Sequence, residues 1–116
     1  SNGIESVASA GLGWNIGANG SSAYRFTGPG VGSSDDNPTL YLYRGFTYRF
    51  ANDTGASHPF KLRVSAGGAA VTDGVSGNDE GVQYYTVPMD LAAGTNYKYQ
   101  CGIPSHAAMI GDLIIV

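Results

Sequence analysis

Apolar side chains recur at every second position in several short runs of this chain. Nowhere do they keep the three-to-four spacing of a long amphipathic helix. Only "VASAG" and "MDLAAG" suit a turn or two of helix. "LGWNI" ends in "GANG" and "SAYRFTG" resumes, which predicts a hairpin with Trp14 and Ile16 on one face and Tyr24 and Phe26 on another. The polar, Gly- and Pro-bearing "TGPGVGSSDDNP" predicts a surface loop. "TLYLY", the turn "RG" and "FTYRF" carry the strongest strand signal, with Leu40 and Leu42 on one face and Phe46, Tyr48 and Phe50 alternating with Thr47 and Arg49. In "HPFKLRV", His58, Phe60, Leu62 and Val64 share a face and Lys61 and Arg63 take the other. A glycine-rich loop from Ala66 to Gly81 precedes the strand "VQYYTVP", which ends at Pro88. "NYKYQC" then sets Tyr97, Tyr99 and Cys101 on one face with Lys98 and Gln100 outward, and "DLIIV" closes the chain. Seven or eight short strands separated by turn signals predict an all-β protein, an antiparallel sandwich or barrel with Greek-key connections.

Composition fits that class. The 116 residues predict one domain, 1–116, with no linker and no internal repeat. Eighteen glycines and eight tyrosines suit turns and pleated surfaces, and only 13% of residues are charged. The net charge of -3 and the scatter of Arg25, Arg44, Arg49, Lys61, Arg63 and Lys98 argue against a nucleic-acid partner. No apolar run reaches the roughly 18 residues that a membrane span needs. No signal peptide is recognisable, which suggests a mature product or a piece of a longer chain. With a single cysteine there is no internal disulfide.

That cysteine, Cys101, shares nine residues with His106 and Met109, in a chain that has only two histidines and two methionines. Alone, each reads as packing: a buried thiol, a hydrogen-bonded imidazole, a core thioether. Together with His58, placed inward by strand parity, they form a thiolate, two imidazoles and a thioether. That set suits copper cycling between two oxidation states: sulfur favours Cu(I), imidazole accepts either state, and a long axial thioether tunes the potential. Zinc is the competing metal, since one Cys and two His also bind it. The acid pairs Asp35–Asp36 and Asp79–Glu80 read as solvated loop residues, and Met89 as packing. The glycines of "GLGWNIGANG" lack the strand-to-helix context of a nucleotide site.

A strand ending in tyrosine and cysteine, then "CGIPSHAAMIG", a closing apolar strand and an upstream histidine together resemble the cupredoxins, the blue copper proteins. "CGIPSH" is most similar to the azurin branch. The resemblance implies a Greek-key β-sandwich holding one copper per chain, with His58, Cys101, His106 and the axial Met109 as ligands. It also implies one-electron transfer rather than enzymatic catalysis, a redox partner docking near His106, and a periplasmic or extracellular location. Oxidases and reductases of this kind need a second copper centre with further histidines, which the chain lacks. Two departures stand out. His106 and Met109 are separated by two residues, one fewer than in azurins, and Pro59 stands where the family commonly has asparagine. Proline has no N–H to offer the Cys101 sulfur, leaving the amide of Ile103 as the remaining donor. "NPTLYLYRGFTYRF" with "HPF" also resembles modules of marine bacteriophage structural proteins. That implies an alternative, a virion or fibre domain in which metal is structural or dispensable.

Overall fold

A computed structural model describes residues 12–116, so the "VASAG" stretch lies outside the described residues. The alternating runs form β1 (Gly13–Asn19), β2 (Ala23–Thr27), β3 (Leu40–Leu42), β4 (Thr47–Asn52), β5 (Phe60–Arg63), β6 (Val75–Gly77), β7 (Val82–Thr86), β8 (Asn96–Cys101) and β9 (Ile110–Ile115). Helical structure among these residues is limited to two short 3-10 turns, Gly55–Ser57 and Pro104–His106. "MDLAAG" is turns and loop, and among the described residues no helix is long and apolar enough to cross a membrane.

The strands divide into two sheets, one ordered β2-β1-β4-β7-β6 and the other β3-β9-β8-β5. The predicted β1–β2 hairpin forms, pairing Ile16 with Phe26. Two expectations need correction. Nine strands are present among the described residues, not seven or eight, because β6 forms inside the glycine-rich loop and pairs with β7. The sheets are also mixed rather than antiparallel, since β1 runs parallel to β4 and β3 parallel to β9. Side-chain alternation is the same in both pairing modes, so it carries no information on strand direction. "TLYLY" and "FTYRF" fall in different sheets. The turn between them, with Gly45 at a positive φ of 85°, carries the chain from one sheet to the other.

Between the sheets lies an aromatic core. Phe60 is at its centre, stacked on Tyr99 at 5.4 Å and meeting Tyr24 edge-on at 5.2 Å. Such contacts contribute about 0.5–1.5 kcal/mol each beyond the area they bury. Leu40, Leu42, Leu113 and Ile115 fill the space beside them. Two residues expected on core faces are exposed: Phe46 lies in the inter-sheet turn, and Val64 follows the last residue of β5. Gly111 is required by close approach, since a Cβ there would lie 2.2 Å from the Tyr99 hydroxyl oxygen. That hydroxyl donates to the Pro38 carbonyl at 2.6 Å, so the ring cannot move aside without breaking the bond. Register brings the end of β4, the start of β5, the end of β8 and the start of β9 to one end of the sandwich, where the sulfur and the imidazoles lie.

Candidate metal centre

His58 sits just outside β5, between the Gly55–Ser57 turn and Phe60. Cys101 ends β8 opposite Phe60, and His106 closes the 3-10 turn that Pro104 opens. Proline suits that first position because its fixed φ is pre-set for the turn and its missing N–H would have no partner there. The Cys101 sulfur lies 3.7 Å from His58 Nδ1 and 3.8 Å from His106 Nδ1. The three ligand-capable atoms all fall within 4.8 Å of one another, and the two imidazole centroids are 5.0 Å apart. A metal bonded to sulfur at about 2.3 Å and to nitrogen at about 2.0 Å in a trigonal array would separate those atoms by about 3.7 Å. The arrangement fits a metal held by one thiolate and two imidazoles.

Met109 is fully buried, and its carbonyl accepts the Cys101 N–H at 3.0 Å. Its backbone is therefore fixed beside the cysteine despite the shortened spacing to His106. Cys101 is buried, while His58 and His106 are half-buried. Desolvation and the neighbouring His106 hold the His58 pKa below the usual histidine value, so its ring is neutral, the form that coordinates metals, at neutral pH.

Polar side chains that the sequence pattern did not single out hold this end together. Asn52 donates from Nδ2 to the carbonyls of His58 (2.8 Å) and Asp79 (2.9 Å), and its Oδ1 accepts from the Thr54 N–H and hydroxyl. The Tyr24 hydroxyl lies 2.8 Å and 3.0 Å from the carbonyls of His58 and Pro59. Burial, followed by the proximity of Cys101, pushes its pKa far up, so it stays a neutral donor. Gln83 donates to the Phe60 carbonyl at 2.9 Å. Gln100, expected outward, is buried: it donates to the Ala107 carbonyl at 3.0 Å and accepts from the Gly67 N–H at 2.8 Å. A signal existed for Asn52 and Gln83, because both interrupt apolar alternation at core-parity positions, Asn52 after Tyr48 and Phe50 and Gln83 before Tyr85 and Val87. None existed for Gln100, whose parity matches the exposed face.

Among the described residues, no backbone N–H donates to the Cys101 sulfur, whose polar neighbours are the two imidazole nitrogens and the Tyr24 hydroxyl. Pro59 has no N–H, and the expected Ile103 amide makes no such bond.

In overall shape the chain is similar to a reduced Cu(I) form of an amicyanin mutant, at 19% identity, covering 91% of this chain and 82% of that one, with a TM-score of 0.51. The fold is that of the cupredoxins. Rusticyanin from Thiobacillus ferrooxidans is also similar, at 23% identity, covering 90% of this chain and 75% of that one, with a TM-score of 0.49. No protein-family model matches the chain, and no curated protein sequence matches it. A His–Cys–His cluster thus occupies one end of a cupredoxin fold.

Proposed function

We propose that residues 1–116 form a single blue copper domain that carries one electron at a time. His58, Cys101, His106 and Met109 would hold the copper. The observation that carries this reading is the pair of sulfur-to-imidazole separations, 3.7 and 3.8 Å, in a cluster supplied from two separate segments. Copper, when bound, supplies a one-electron couple between Cu(I) and Cu(II). The chain's own part is to keep the ligand positions the same in both states. Asn52 and Tyr24 fix the backbone of His58, and Gln100 fixes that of Ala107 beside His106. Burial of Cys101 keeps water from the sulfur. Both histidines belong to this one cluster, which supports a carrier rather than an enzyme with a second copper centre.

Half-buried His106 is flanked in sequence by the exposed apolar residues Pro104, Ala107 and Ala108. This apolar border supports docking of a redox partner there, with the electron passing through the imidazole edge. A periplasmic or extracellular location accords with this reading. Adding Cu(II) to the purified protein tests it: an intense visible band from thiolate-to-copper charge transfer is expected. Cys101→Ser should abolish the band and His58→Ala should greatly weaken copper binding, while Asp35→Ala in a loop should change neither. A colourless complex in the wild type would instead indicate a site suited to zinc.

A further inference from the structure

At the end of the sandwich opposite His58, the two sheets part around a cleft of about 370 Å³. Tyr85 of β7 reaches it from one sheet and Tyr97 of β8 from the other. Tyr85 is only 1% exposed. The other phenols buried as deeply are satisfied within the protein: Tyr24 and Tyr99 donate to carbonyls, and Tyr48 accepts the Tyr43 N–H. The Tyr85 hydroxyl has no hydrogen-bond partner among the described residues, and it faces the cleft. That hydroxyl is not among the fully enclosed polar atoms that lack a partner, so it opens onto the cleft, where a ligand or ordered water completes its hydrogen bonding.

The charge around that phenol selects the ligand. Asp73 and Asp90 line the cleft, no lysine or arginine does, and neither carboxylate is in a salt bridge among the described residues. Anions are therefore disfavoured. The remaining walls include Val71 and Leu91, which offer no oxygen to a bare ion. A metal ion of the oxygen-seeking kind needs six or more such ligands. We propose that this cleft binds a small organic cation, an ammonium group carried on an apolar body. The carboxylates attract the charge, the Tyr85 and Tyr97 hydroxyls accept its N–H groups, the phenol faces favour a cation, and Val71 and Leu91 cover the carbon chain. The Tyr85 pKa, pushed up to about 12 by burial with smaller contributions from Tyr97 and Asp73, keeps the phenol neutral, so its oxygen accepts without adding charge.

The test is a two-dimensional amide NMR titration of the full chain with n-hexylammonium chloride, using n-hexanol as the neutral probe of similar shape. Saturable shifts are expected at Val71, Asp73, Tyr85, Leu91 and Tyr97, with the alcohol binding at least about fivefold more weakly. The Asp73→Asn/Asp90→Asn double variant should lose about fivefold or more in affinity for the ammonium. Both carboxylates are exposed, so the variant should keep the wild-type circular dichroism. Tyr85→Phe should weaken the ammonium further than the alcohol. Equal binding of the two probes, unchanged affinity in the double variant, shifts confined to the His58 end, or no saturable shift would each overturn the proposal.

Discussion

Pro59 is one residue whose chemistry reaches the sulfur through something it lacks. It follows His58 and its carbonyl accepts the Gly102 N–H at 2.9 Å, so it lies beside Cys101 with no N–H of its own to donate. With that N–H missing and none supplied by Ile103, the sulfur has no backbone donor and keeps more of its electron density for a metal. A hydrogen bond to sulfur withdraws density and favours the reduced state, so its absence favours Cu(II) and lowers the potential. Pro59→Asn is expected to raise the midpoint potential by roughly 60–130 mV. A hydrogen bond to a charged group contributes about 1.5–3 kcal/mol, and a one-electron couple shifts by about 59 mV per 1.4 kcal/mol. Pro59→Ala restores the N–H without the amide side chain and should act in the same direction. Voltammetry on the three proteins checks this. An unchanged or lower potential in both variants would mean that Pro59 acts only by shaping the loop.

Between elements, the ligand loop depends on a side chain from the strand that precedes it. Gln100 reaches from the end of β8 to the Ala107 carbonyl and to the Gly67 N–H, joining the loop after Cys101 to the turn after β5. Gln100→Ala leaves a backbone donor and a backbone acceptor without their partners and is expected to destabilise the fold by about 1–3 kcal/mol. Chemical denaturation measures that loss, and a broadened copper band would report looser placement of His106. A loss below about 0.5 kcal/mol would show that water replaces the amide. Gln100 also marks where the sequence stops being legible. Alternation identified most of the strands, and the parity of "HPFKLRV" brought His58 to the end where Cys101 and His106 lie, although β5 itself begins only at Phe60. Alternation reports a side chain's face and not its depth, so a polar residue drawn inward by two backbone partners looks like any outward one. The same blindness hid the parallel pairings of β1 with β4 and β3 with β9, and the short β6, whose three residues include a glycine. The proposed ligands could be singled out because their residue types are rare in this chain.

The molecule as a whole separates the sources of its stability from its chemistry. Trp14 stacks on Tyr48 and Phe50, Phe26 packs on Tyr99, and Leu113 and Ile115 fill the space between the sheets, all without any contribution from the metal cluster. Only Cys101 and Met109 of the four proposed ligands belong to that core. Metal-free protein should therefore fold, unlike small zinc domains in which the ion replaces a missing core. Copper should still stabilise it, because a ligand that binds only the folded state adds RT ln(1 + [L]/Kd), about 4 kcal/mol when free copper is a thousandfold above Kd. For a chain of this length that corresponds to a rise in Tm of roughly 15 °C. Cys101→Ser should remove most of the rise and leave the metal-free Tm nearly in place, since serine fills almost the same volume at the edge of the core. Thermal melts by circular dichroism, with and without Cu(II), compare the four samples. An unfolded spectrum for the metal-free wild type would show that the aromatic core is insufficient and that the ligand loop organises the sandwich. A Tm rise retained in the serine variant would mean that copper stabilises the protein from somewhere other than this site.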